Sequence, residues 1–250
     1  MTANALSKTL LVIGGSSDIG RAIASRYAVA GWQVVLAVRD VAAGTRNASD
    51  IAARSGRAVP VHRLDILETD QFAAMLDGLP VLPDTVVCVV GDMGDQARSE
   101  ADPLAAQRVL RANFEGPALF LGMIAERFAA RGTGAIVGIS SVAGDRGRAS
   151  NYIYGAAKAG FTAFLSGLRN RLAGRGIRVV TVKPGFVRTR MTEGMALPGP
   201  LTADPSEVGR AVFRAAEQGR GEVIYVRGVW RPLMMVIRAV PERIFKRMQL

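Results

Sequence analysis

Histidine and cysteine occur once each in these 250 residues, as His62 and Cys88. One thiol permits no internal disulfide, and one imidazole with one thiol cannot make the Cys/His cluster of a metal centre. A metal-free, cytoplasmic protein is expected. Long apolar runs are also missing. The short run LLVI in MTANALSKTLLVIGG has no small-residue cleavage site after it, and nothing approaches the ~20 apolar residues of a bilayer span. Neither export nor a membrane-spanning segment is expected. Acidic residues are in deficit, 21 against 32 Lys and Arg, and the net charge of +11 asks for an anionic partner. The excess gathers at the carboxyl end, where Arg227, Arg231, Arg238, Arg243, Lys246 and Arg247 face a single acid, Glu242. Basic residues interleaved with aromatics, the pattern that reads nucleic acid, are absent, so no nucleic-acid partner is expected.

What is present is a repeating order of strand and helix in a chain that is 49% hydrophobic. TLLVIGG, QVVLAVR, AVPVHRLD, DTVVCVVG, GAIVGISS, RVVTVKPG and EVIYVRG read as strands, separated by helical patterns such as GRAIASRYAVAG and the long stretch PLAAQ to AARG. Short β-branched runs bounded by glycine and alternating with helices predict a parallel sheet covered on both faces. The fold class is therefore α/β, one doubly wound domain of about seven strands over residues 1–228. A basic amphipathic tail follows over 229–250, and the Pro/Gly segment at residues 193–205 is a lid candidate.

Directly after the first strand comes GGSSDIG, Gly14 to Gly20, opening onto a helix. Such a turn lets backbone N–H groups and the helix N-terminus approach a pyrophosphate. The spacing is not G-x-G-x-x-G, because Asp18 stands where a middle glycine is expected. At the end of the second strand, where an adenosine ribose lies in this architecture, Arg39 favours NADP, while the adjacent Asp40 keeps NAD open. Asp65, after the third strand, reads equally as an adenine contact or a helix cap. In SNYIYGAAK, Tyr154 lies four residues before Lys158 and shares its helix face, whereas Tyr152 lies six before it. A cation beside a phenol stabilises the phenolate, so Tyr154 with Lys158 is the candidate proton-transfer pair.

These motifs, with Asn113 in RANFEG, Ser141 in GISSVAG and PGFVRT at Pro184 to Thr189, resemble in order those of the short-chain dehydrogenase/reductases. The resemblance implies a Rossmann-type fold and hydride transfer between a nicotinamide cofactor and a carbonyl or alcohol. Ser141, thirteen residues before Tyr154, and not Ser140, matches the family's serine. It implies Asn113, Ser141, Tyr154 and Lys158 as the catalytic set, with Asn113 holding a water that links Lys158 to solvent. The implied cofactor site comprises Gly14, Ser16, Ser17, Asp18, Ile19, Gly20, Arg39, Asp65, Ile66, Val90, Gly91, Tyr154, Lys158, Pro184, Gly185, Val187 and Thr189, and no metal. Two positions depart from the family pattern. CVVG, Cys88 to Gly91, replaces Asn-Asn-Ala-Gly, and Ile13 replaces the opening threonine.

GGSSDIG, SSVAGDRGRASNYIYGAAKAG, VKPGFVRTRM and the tail RPLMMVIRAVPERIFKRM also resemble a narrower group, the decaprenylphosphoryl-2-keto-pentose reductases. That resemblance implies a 2-keto sugar on a polyprenyl phosphate as substrate, in cell-wall polysaccharide synthesis. In the tail, apolar residues alternate with arginines and Pro241 divides two short helices, an interfacial pattern. It fits peripheral contact with the inner face of the membrane, or alternatively packing on a neighbouring subunit of a homodimer or homotetramer. The other readings are a soluble reductase of a small ketone or 3-oxoacyl thioester, a dinucleotide sensor without catalysis, and a basic nucleic-acid-binding protein on the same scaffold, against which the missing aromatics and the complete catalytic set count.

Overall fold

A computed structural model describes residues 7–248; the first six residues of the amino-terminal reading and the last two of the tail lie outside them. In chain order the strands are β1 (Thr9–Ile13), β2 (Gln33–Val38), β3 (Val61–Arg63), β4 (Thr85–Cys88), β5 (Gly134–Ile139), β6 (Ile177–Lys183), β7 (Phe186–Val187), β8 (Thr202–Ala203) and β9 (Val223–Tyr225). The helices are α1 (Asp18–Val29), α2 (Val41–Ser55), α3 (Phe72–Asp77), α4 (Gln96–Ala101), α5 (Pro103–Leu110), α6 (Gly116–Arg131), α7 (Tyr152–Leu172), α8 (Pro205–Gln218), α9 (Trp230–Ala239) and α10 (Glu242–Phe245).

Seven strands form one parallel sheet in the order β3-β2-β1-β4-β5-β6-β9, and β7 pairs with β8 beside it. This is the expected Rossmann-type fold. Winding reverses between β1 and β4, and a crevice opens there at the carboxyl ends of the strands.

Because successive side chains leave a strand on opposite faces, each strand feeds two cores. Leu10 and Val12 pack with α1, α2 and α8 residues such as Ile23, Ile51 and Val212. Leu11 and Ile13 pack on the other face with Phe72, Phe120, Phe161 and Leu165 of α3, α6 and α7. The near-continuous apolar strands follow from this double burial. The long helical stretch around Asn113 is not uniform: a π-helical turn over Arg111–Glu115 separates α5 from α6.

The tail folds back onto the domain. Trp230 and Met234 of α9 are buried against Val142, Phe186 and Tyr225, and α9 and α10 meet at Pro241. Gly185 makes this possible, since a Cβ there would run into the Trp230 indole. Arg146 fastens the far end. Its guanidinium donates to the carbonyls of Ile237, Arg238 and Val240, pairs with Glu242, and stacks on Phe245.

Candidate active site

β5 ends at Ile139 and delivers Ser140 and Ser141 onto a short turn, Val142–Gly144, that lies on α7. Close approach is permitted by two glycines. A Cβ on Gly144 would come within 2.7 Å of the Ala159 nitrogen, and one on Gly155 within 2.9 Å of the Ala143 carbonyl. The turn thereby sets Ser141 beside Tyr154, whose phenol it hydrogen-bonds. The Ser141 hydroxyl also accepts from the Ala143 N–H at 3.1 Å. Ser140 is turned the other way, bonded to the Lys158 carbonyl at 3.0 Å and the Thr162 hydroxyl at 2.7 Å. Tyr152 is 45% exposed.

Lys158 is 3% exposed, its ammonium donating to the carbonyls of Ile139 at 3.2 Å and Val90 at 3.4 Å. It lies 5.7 Å from the centre of the Tyr154 ring. Desolvation disfavours the charged form of each group. Burial pushes the Lys158 ammonium down to about 8. Burial also pushes the Tyr154 phenol up to about 12, against a smaller lowering by the Ser141 hydrogen bond. The expected lowering of the phenol by Lys158 is therefore corrected: burial dominates, and at neutral pH the phenol carries its proton.

Asn113 sits fully buried on the π-helical turn, a local widening common at functional sites. Its amide donates to the carbonyls of Asp92 at 2.6 Å and Val109 at 2.8 Å and accepts from the Asp92 N–H at 3.2 Å. The segment after β4 is thus held by Asn113, which supplies the fastening that the run CVVG lacks.

A cavity of about 710 Å³ fills the crevice. Gly14, Ser16, Ser17, Asp18 and Ile19 line it after β1, Arg39, Asp65 and Ile66 after β2 and β3, and Val90, Gly91 and Thr189 after β4 and β7. Ser17 caps α1, accepting from Gly20 N–H at 3.0 Å and donating to the Gly14 carbonyl at 2.8 Å. Gly14 has φ of +85°, and a Cβ there would lie 3.1 Å from the Val90 nitrogen, so the cradle needs glycine. Asp40 caps α2 by accepting from Ala43 N–H at 3.0 Å, and it lines the cavity together with the exposed Arg39. Asp65 accepts from Leu67 N–H at 3.0 Å within the loop after β3 and lines the cavity; the helical turn that follows begins at Thr69 with Glu68 before it, so Asp65 is not its cap. The chemistry of this lining fits a nicotinamide dinucleotide: glycine and capped helix N-terminus for the diphosphate, arginine for the 2′-phosphate.

Other predicted contacts lie outside that lining. Gly20 packs beneath the turn, its Cα facing the Gly14 carbonyl. Pro184 accepts from Val142 N–H at 3.0 Å, Gly185 meets Trp230, and Val187 is buried in β7. The Ser141, Tyr154 and Lys158 group adjoins the cavity past Gly91, where a Cβ would be 3.6 Å from the Lys158 ammonium. The lining also includes charged and flexible residues that the sequence reading does not name, among them Asp92, Arg108, Arg190 and Met191. Arg190 and Met191 directly follow the PGFVRT run, which is their signal; Asp92 in the loop after β4 and Arg108 of α5, paired at 3.6 Å, have none.

The short chain dehydrogenase family matches residues 8–197. The chain belongs to that family, and it is an oxidoreductase. It is 36% identical over 247 residues to an uncharacterised oxidoreductase of Mycobacterium tuberculosis, covering 96% of each chain. It is 37% identical over 250 residues to an uncharacterised oxidoreductase of Streptomyces coelicolor, again covering 96% of each. Among solved structures, a short-chain dehydrogenase from Sphingobium yanoikuyae in complex with NADPH is similar, with 26% identity and a TM-score of 0.79 over 94% of this chain and 97% of that one. Among the described residues no helix is long and apolar enough to cross a membrane.

Proposed function

We propose that the protein reduces a ketone to a secondary alcohol with NADPH, the ketone being a 2-keto sugar carried on a polyprenyl phosphate. The observation that carries the chemistry is the grouping of Ser141, protonated Tyr154 and cationic Lys158 at the end of a dinucleotide-shaped cleft. The nicotinamide cofactor supplies hydride when bound. Tyr154 donates its phenolic proton to the substrate oxygen, and Ser141 donates a hydrogen bond that orients that oxygen and stabilises its developing charge. Lys158, held by two carbonyls, stabilises the phenolate left behind and reaches the nicotinamide ribose. Asn113 holds a water that returns the proton. Arg39 receives the 2′-phosphate; the relative crystallised with NADPH supports that choice over NAD.

The lipid-linked substrate rests on the tail. Met235 and Val236 are each 65% exposed and Ile244 56%, and Arg231, Arg238, Arg243, Lys246 and Arg247 are exposed around them. An apolar face rimmed by cations matches an anionic membrane interface, so the enzyme works in the cytoplasm against the inner leaflet. The test presents the purified enzyme with NADPH and either a polyprenyl-phosphate 2-keto sugar in anionic vesicles or a water-soluble ketone or 3-oxoacyl thioester. Higher kcat/KM for the lipid-linked ketone, dependent on vesicles, supports the reading. Equal or better turnover of the soluble ketones makes it a soluble reductase, and no turnover of any ketone leaves only a dinucleotide sensor.

A further inference from the structure

Asp18 puts a carboxylate at the first position of α1, on the wall of the cleft where a dinucleotide's diphosphate meets the glycine-rich turn. Like charges at that spot repel, and beyond the α1 N-terminus the turn GGSSDIG brings no cationic side chain to offset them. The offset comes from far along the chain. Arg190 donates its backbone N–H to Asp18 Oδ2 at 2.8 Å, sets Nε 3.4 Å from Asp18 Oδ1, and donates a terminal nitrogen to the Ser16 carbonyl at 2.8 Å. Both side chains line the same cavity.

Arg190 is itself firmly seated. It opens the turn Arg190–Thr192, where Thr189 N–H donates to the Thr192 hydroxyl at 3.1 Å and that hydroxyl donates to the Val187 carbonyl at 2.7 Å. A guanidinium presents several N–H donors in a planar fork. Those not used on Ser16 and Asp18 remain for an anion, and the side chain is 68% exposed. Met191 follows directly and lies across the cleft, with its terminal methyl 3.9 Å from where a Gly91 Cβ would be.

We infer that Arg190 is a ligand of the cofactor diphosphate, held in place by Asp18, and that the pair ties the segment after β7 to the glycine-rich turn. Together Asp18 and Arg190 replace the small neutral residue that such a turn ordinarily offers, and they trade a loop without charge for a salt-sensitive clamp. Diphosphate binding then fixes Met191 over the cleft. This rests on the proposed use of a nicotinamide dinucleotide.

The test is calorimetric titration of the full-length protein with two probes, ADP-ribose 2′-phosphate, which carries the diphosphate, and adenosine 2′-monophosphate, which lacks it. Arg190→Met is expected to weaken the first roughly tenfold or more, as for a lost charge-assisted hydrogen bond, and to change the second less than about twofold. Adding Asp18→Asn to Arg190→Met restores part of the loss, because the uncompensated carboxylate is gone. Arg190→Lys keeps the charge without the fork and falls between. A purely structural role predicts instead that both probes weaken together and that the double variant is worse than either single one; that pattern overturns the inference. So does unchanged affinity of Arg190→Met for ADP-ribose 2′-phosphate. Failure of the unsubstituted protein to bind either probe overturns the dinucleotide reading itself and the clamp with it.

Discussion

Ser140 and Ser141 are neighbours in the chain with opposite commitments. The hydroxyl of Ser140 is fixed inside the fold between the Lys158 carbonyl and Thr162, while that of Ser141 faces the Tyr154 phenol. An extended backbone at Ser141, with φ of −162° and ψ of 155°, sends adjacent side chains to opposite sides. One serine therefore holds α7 against β5, and the other is left for substrate.

Replacing each serine by alanine should separate these tasks. Ser141→Ala is expected to lower kcat by about 10²-fold, as for loss of a donor to a developing oxyanion, with little change in thermal stability. Ser140→Ala should cost about 1–3 kcal/mol of stability, because it leaves buried partners unsatisfied. Thermal denaturation and steady-state kinetics on both variants check the division.

The two tyrosines give a similar contrast. Tyr154→Phe removes the proton donor without altering the helix, so turnover should fall about 10²–10⁴-fold with NADPH affinity nearly unchanged. Tyr152→Phe, at an exposed position, should leave both intact. Equal impairment of the two under saturating cofactor would contradict the assignment.

Lys158 predicts a pH dependence of stability. Its folded value, about 8, lies below the ordinary 10.5, so between those values the unfolded chain binds more protons than the folded one. Stability therefore rises with pH across that window. Lys158→Met removes both the buried charge and the slope. It should stabilise the protein by about 1–3 kcal/mol at pH 7 while abolishing turnover, and the two proteins should converge above about pH 10. Urea unfolding at several pH values is the measurement.

Arg39→Asp should move cofactor preference from NADPH toward NADH, since an acid repels the 2′-phosphate and accepts from a ribose hydroxyl. Comparable kcat/KM for both cofactors in the unsubstituted enzyme would remove the basis for NADPH.

Much of this was legible in the chain. The five inner sheet strands stand out because they are apolar and almost wholly buried, while the edge strands β3 and β9 are short and only partly covered, and Tyr154 is singled out from Tyr152 by helical periodicity alone. What was not legible depends on partners distant in sequence. The π-helical turn at Asn113 is fixed by bonds to Asp92, and no local propensity marks it. The buried network in which Asp145 pairs with Lys183 and accepts from Tyr225 at 2.7 Å joins three elements whose meeting only the sheet order reveals. The tail's amphipathic pattern was visible, but an apolar stripe does not say which of its faces turns inward; Arg146 and Gly185 decide that.

The outer face of the tail can be probed without disturbing the inner one. Met235→Glu and Ile244→Glu should each weaken flotation with anionic vesicles roughly tenfold, as expected for apolar side chains withdrawn from lipid. Circular dichroism should be unchanged. If these variants instead dissociate an oligomer and the unsubstituted protein ignores vesicles at low salt, the face belongs between subunits.

The seating of Trp230 against Gly185 has a practical side for anyone handling this enzyme. An affinity handle or fluorescent fusion at the carboxyl end would hang from a segment wedged beside the serine turn, with Arg146 between them. Its drag would be felt at Ser141. The amino end leads into the start of β1, an inner strand whose other end opens onto the crevice, so a label there reports on the molecule without leaning on its chemistry.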